Sequence, residues 1–141
     1  MWVRACVDFR KMKRLLFALG AFILLSAPVA AATITGIWVT EPDAKAQTGH
    51  VQIMPCGAAL CGTVVSAFDK AGKPITTASV GKRILRDLKP IGGNAFGDGK
   101  VYVPIMRSEF PVRMTVNGNR LSLRACNGLG ICRSQTWTRV K

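Results

Sequence analysis

The chain has 141 residues, room for one domain of ordinary size and no more. It is 49% hydrophobic and 19% charged, with a formal net charge of +13. Such an excess of cations favours anionic partners. A nucleic-acid partner is excluded by the lack of any recognition-helix or aromatic-interleaved basic motif.

The N-terminus indicates the compartment. Arg4, Arg10, Lys11, Lys13 and Arg14 precede an uninterrupted apolar run from Leu15 to Leu25, and Ser26-Ala-Pro-Val-Ala-Ala-Ala32 follows. A basic start, a short apolar centre and small residues at the end form a secretory signal peptide, expected over residues 1–32. A membrane span would need about 20 apolar residues, and Pro28 with the alanine run argues against one. A single domain over 33–141 is then exported to the periplasm, or secreted. Five basic residues and one acidic residue leave with the leader, so the domain keeps a net charge of +9.

Cys6 leaves with the leader too, and Cys56, Cys61, Cys126 and Cys132 remain. An even number of cysteines in an exported chain points to disulfides. Of the three possible pairings, the local ones, Cys56–Cys61 and Cys126–Cys132, suit hairpins whose facing strands come within disulfide reach. The rival is a four-thiolate zinc site, but the spacings are wider than zinc ligands usually adopt. No metal is expected.

In chain order, Thr35-Gly-Ile-Trp-Val-Thr40 is a short β-rich run. His50 to Pro55 and Leu60 to Phe68 form the arms of a hairpin around Cys56 and Cys61. Asp69 to Pro74 is a turn, and Ile75 to Lys82 is loop. Arg83 to Ile91 is ambiguous, because Ile84, Leu85 and Leu88 also suit a helix, but Pro90 and Gly92-Gly93 end it quickly and favour a strand. Asn94 to Gly99 is a glycine-rich turn, followed by a strand from Lys100 to Ile105. Val112, Met114 and Val116 alternate along the next strand. Asn117-Gly118-Asn119 is a hairpin turn. Leu121, Leu123 and Ala125 alternate along another strand, and Arg133 to Val140 is the last. About eight short antiparallel strands and no amphipathic helix make an all-β barrel or sandwich.

Gly36-Ile-Trp38, Pro55-Cys-Gly57 with Leu60-Cys-Gly62, and Cys132-Arg-Ser-Gln-Thr-Trp-Thr-Arg139 appear in that order. Together they resemble the exported bacterial family catalogued as domain of unknown function 2147. The resemblance implies a small lipocalin-like β-barrel in the envelope of a Gram-negative-type bacterium, with no established activity. The middle departs from that pattern. Asp69-Lys-Ala-Gly-Lys-Pro74 replaces an Asp-x-x-Asn-Pro-Asp-Pro-like segment, and Pro104-Ile-Met-Arg-Ser-Glu-Phe110 replaces Pro-x-x-Gly-x-x-Tyr. Gly-x-Trp on a first strand is also similar to the lipocalin signature. That likeness implies Trp38 closing one end of the barrel, with Arg139 lying across it in a structural role.

Side-chain parity supplies the candidate binding residues. If Cys126 and Cys132 face each other, Ser122, Arg124, Ser134, Thr136 and Thr138 share their face. Leu121, Leu123 and Ala125 then oppose Arg133, Gln135, Trp137 and Arg139 on the other face. The leucines mark this face as interior, so Gln135, Arg133 and Trp137 are the candidate ligand-binding residues. An amide and a guanidinium beside an indole suit a small anionic or amphipathic molecule. Without such a ligand, these groups would hydrogen-bond loops at the mouth.

Catalysis finds little support. His50 is the only histidine, disulfide-bonded sulfur cannot attack, and Asp69 and Asp98 are expected to form turns. No nucleophile-elbow, zinc-helix or phosphate-cradling motif occurs, so neither catalytic residues nor cofactors are expected. The leading expectation is a non-catalytic binder. An envelope interaction or structural module using the basic outer surface is the second reading, and an enzyme working at the mouth loops the third.

Overall fold

Alternating apolar and polar residues produce strands over most of the chain, and the glycine- and asparagine-rich segments between them produce tight turns. In this computed structural model, which describes residues 34–140, the strands are β1 (Gly36–Val39), β2 (Thr48–Cys56), β3 (Ala59–Phe68), β4 (Pro74–Ile75), β5 (Arg83–Gly92), β6 (Ala95–Val103), β7 (Ser108–Asn117), β8 (Arg120–Cys126) and β9 (Cys132–Arg139). The leader expected over residues 1–32 lies outside the described residues.

All pairings are antiparallel. β1 pairs with β2 and β9, β2 with β3, β3 with β5, and β5 through β9 follow one another. The sheet therefore closes into an eight-stranded barrel, while the two-residue β4 lies beside the end of β3. Closure removes the free edges that two separate sheets would keep, so the sandwich alternative falls away.

Several turns of the chain differ from the sequence expectation, for reasons of register. Leu85 and Leu88 are both buried although three apart, because the chain bulges between them at Asp87, whose φ is 56°. The helical spacing is thus a β-bulge. Ala95 to Gly99 belongs to β6 and the turn is confined to the residues before it. Asp98, at φ 57°, forms a second bulge instead of a turn. Gly99 is required by close approach, since a Cβ there would lie 2.7 Å from the Arg86 carbonyl oxygen and 2.9 Å from Leu88 Cα. Ile105 leaves the strand expected for it and sits in a 3-10 turn, Pro104–Met106, fully in solvent.

The two ends of the barrel are filled differently. The hairpins β2–β3, β5–β6 and β7–β8 turn at one end, where Trp38, Ile53, Leu60, Leu88, Phe96 and Met114 pack the interior solid. The β1–β2, β3–β5, β6–β7 and β8–β9 connections lie at the other. There the inward positions carry smaller or polar residues, among them Gly49, Ala67, Ala125, Gln135 and Arg133. Side-chain volume thus runs out before the barrel does, and the second end stays open.

Candidate functional site

The open end holds a cavity of about 340 Å³. Buried Val64, Ala67, Val101, Leu123 and Trp137 form its walls with the half-buried Ile84 and Ala125. Thr40, Glu41, Asp43 and Gln47 of the β1–β2 connection stand at its mouth.

The three candidate binding residues come together here, at graded depths. The register sets Leu121 opposite Trp137, Leu123 opposite Gln135, and Ala125 opposite Arg133, so all three share the cavity face. Trp137 is buried, whereas Gln135 and Arg133, on the same inward face, are exposed at the rim. The reason is strand length: β9 runs outward past the packed layer, and its first residues reach the rim. The Trp137 indole Nε1–H donates to Gln135 Oε1 at 2.9 Å, so the indole's polar edge is satisfied toward the mouth.

Sequence reasoning missed the other side of the mouth. A neighbouring hollow of about 260 Å³ shares Ser79, Ile84, Tyr102 and Pro104 with the cavity and adds Lys82 and Arg107. These residues lie on connections expected to be featureless loop or strand end, and only their positive charge would have hinted at them.

The acidic groups of the mouth are engaged in structure. β1 ends at Val39, and its last partner on β9 is Thr138, so the next inward-running amide of β9 has no strand to meet. Glu41 takes that place: its Oε1 accepts from the Thr136 N–H at 2.7 Å. Asp43 Oδ1 accepts from the N–H groups of Lys45 and Gln47. Among the described residues the ion pairs are those of Arg86 with Asp87 and Glu109, on the outer wall. Arg133, Lys82 and Arg107 outnumber the Glu41 and Asp43 carboxylates and leave the mouth a small cationic excess.

The cysteines and the closing residues lie away from the cavity. Cys56 and Cys61 are bonded at the packed end with Cα atoms 5.6 Å apart, running diagonally, since Met54 stands opposite Cys61. Cys126 and Cys132 are bonded at the base of the β8–β9 connection, directly opposite each other, with Cα atoms 4.0 Å apart. By parity both disulfides are on the outer wall. At the packed end the Trp38 indole is fully buried and donates to the Ile34 carbonyl at 2.8 Å. Arg139 lies over its ring, 4.2 Å from the centroid, and Nη1 donates to the Thr35 carbonyl at 2.8 Å.

His50 is on the outer wall against Phe68, with ring centroids 4.5 Å apart, and burial lowers its pKa. Among the described residues no three His, Cys, Asp or Glu side chains converge as a metal site.

Comparison with curated proteins finds no match. Among solved structures, protein HP1028 from the human pathogen Helicobacter pylori, described as belonging to the lipocalin family, has a similar fold. The TM-score is 0.61 at 19% sequence identity, over 76% of this chain and 82% of that one. At the level of sequence, residues 36–139 match the family described as uncharacterized protein conserved in bacteria, DUF2147. The match runs from the first strand to the end of the last, and the chain belongs to the DUF2147 family.

Proposed function

We propose that the protein is an exported, non-catalytic carrier or sensor that binds a small amphipathic or anionic molecule in the open end of its barrel. The observation behind this reading is the pairing of an apolar-walled cavity of about 340 Å³ with a mouth bearing Arg133, Gln135, Lys82 and Arg107. The volume is at the lower end of ordinary small-molecule sites, about 300–1,000 Å³. An acyl or aromatic body would lie against Leu123 and Trp137, and an anionic head would remain among the cations.

Export is supported by the leader-like N-terminus and by two disulfides, which are compatible with an oxidising compartment. A binding role without chemistry is supported by the use of Glu41 and Asp43 as hydrogen-bond acceptors for backbone amides.

Two measurements test the proposal. Protein purified from its own compartment should carry a stoichiometric adduct in native mass spectrometry. Decanoate should perturb Trp137 fluorescence saturably, and Ala125→Trp, which fills the cavity, should abolish that response. A bare mass together with an unchanged decanoate titration in Ala125→Trp would overturn it.

A further inference from the structure

Three connections at the open rim are built on one five-residue turn, at residues 43–47, 69–73 and 127–131. In each, the first residue's N–H donates to the fifth residue's carbonyl at 2.9 Å, and the fourth residue's N–H donates back to the first residue's carbonyl. In each, the first side chain, Asp43, Asp69 or Asn127, accepts through Oδ1 from the N–H groups of the third and fifth residues at 2.8–2.9 Å. The fourth residue is left-handed every time: Ala46 at 57°, Gly72 at 76° and Gly130 at 80°. The turn therefore demands Asp or Asn first and a residue tolerant of positive φ fourth, and leaves the third and fifth positions open.

Two copies fill the open positions with the residues a solvent-facing turn would have, Lys45 and Gln47 in one, Ala71 and Lys73 in the other. The third carries Leu129 and Ile131, which are 86% and 64% exposed. The fold of the turn does not require them. On the neighbouring β6–β7 hairpin of the same rim, Ile105 and Met106 are 88% and 56% exposed at the tip of the 3-10 turn. Neither connection contains an acidic residue, and Arg107, Lys82 and Arg133 flank them.

We propose that this rim docks on an anionic lipid bilayer surface, with Leu129, Ile131, Ile105 and Met106 entering the headgroup region and Lys82, Arg107 and Arg133 meeting lipid phosphates. Polar backbone groups that enter an apolar medium must be satisfied internally. The turn at 127–131 goes far toward this condition, because four of its five N–H groups, those of Asn127, Leu129, Gly130 and Ile131, donate within it. The Cys126–Cys132 disulfide fixes its base, so little further ordering is needed on insertion. A neutral Asn127 stands where the other two copies carry Asp, which removes a charge that an anionic surface would repel. The apolar groups form two separate protrusions bordered by cations, which suits a lipid interface better than a flat protein partner. Docking does not require the cavity to be occupied.

The test is co-sedimentation with vesicles of phosphatidylcholine alone or mixed with phosphatidylglycerol, at physiological salt. The protein should bind the mixed vesicles and not the neutral ones. Leu129→Ala with Ile131→Gln uses residues that the same turn accepts elsewhere, so the fold should survive, as a melting curve will show. Burial of two such side chains is worth enough that this variant should lose about tenfold or more in binding. Met54→Ser with Ile91→Ser, at the packed end, should bind as the parent does. Failure to bind mixed vesicles overturns the proposal. So does binding that the rim variant leaves intact, which would mean attraction by net charge alone. Loss of a protein partner in the rim variant with vesicle binding unchanged would reassign the rim to protein recognition.

Discussion

The Arg139 guanidinium lies 4.2 Å from the centroid of the Trp38 ring, joining the last strand to the first across the seam of the barrel. The same guanidinium holds the chain before β1 through Thr35. Gly36 leaves room for it, since a Cβ at that position would come within 2.9 Å of Nη1. Lysine keeps the charge but loses the planar stacking face. Arg139→Lys should therefore cost about 1 kcal/mol, a fall of about 4–8 °C in Tm. Thermal unfolding followed by circular dichroism measures it, and an unchanged curve would leave Arg139 without this role.

Gly99 and Gly128 make a matched pair for steric cost. A Cβ at Gly99 meets backbone of β5 at under 3 Å, whereas Gly128 has nothing within 4 Å. Gly99→Ala should destabilise the fold by about 1–3 kcal/mol, as overpacking does. Gly128→Ala should be close to neutral. Urea unfolding of the two variants side by side gives the comparison, and equal midpoints would contradict the close approach.

Ala46 and Arg107 hold left-handed backbone, at φ 57° and 50°, without being glycine. Ala46 stands where the sister turns carry Gly72 and Gly130. Arg107 stands where the family resemblance expects glycine. Each costs about 1 kcal/mol relative to an unstrained residue. Ala46→Gly and Arg107→Gly should each raise stability by about 0.5–1 kcal/mol in denaturant melts. Of the two, only Arg107→Gly should weaken binding to anionic vesicles. Arg107→Gly with lower stability would show that its side chain contributes more than the strain costs.

Stability should respond to pH in two separate windows. Burial lowers the His50 pKa below its ordinary 6.5, so the unfolded chain takes up this proton first. Its contribution is complete above 6.5 and declines as the pH falls from there through the folded-state value. Glu109 is lowered below its ordinary 4.5 mainly by its hydrogen bond from Arg86, so its contribution is lost only at more acidic pH. Both groups are close to solvent, and the amplitudes should be small. In chemical denaturation against pH, His50→Gln should remove the upper slope and leave the lower one; an unchanged upper slope would assign it elsewhere.

Parity was the most legible property of the chain. Cys126 opposite Cys132 fixes the faces of β8 and β9, and Leu121, Leu123 and Trp137 follow inward without further information. Depth along the barrel was not legible. Whether Gln135 and Arg133 are buried depends on where the large side chains of six other strands stop filling the interior. Local spacing also misleads where backbones come close. Leu85 and Leu88 take helical spacing from a bulge, and Gly99 resembles a turn residue because a neighbouring strand leaves no space for its Cβ. The mouth cations Lys82 and Arg107 stand just before and just after the β5–β6 hairpin, whose antiparallel pairing returns the chain to the same rim. One signal was present in the chain: Leu129 and Ile131 are out of place among the asparagine and glycines of a turn.

Closure of the barrel has a kinetic side. Seven of the eight pairings in the ring join strands that follow one another, and the eighth, β1 with β9, rests on Trp38 with Arg139 and Val39 with Thr138. Nearly the whole described chain lies between those partners, so this contact carries the largest loop-closure entropy and is favoured to form last. Both disulfides fall inside hairpins made of consecutive strands. Oxidation therefore steadies two early units of the folding reaction, while the slow search that brings the first strand to the last is left as long as it was.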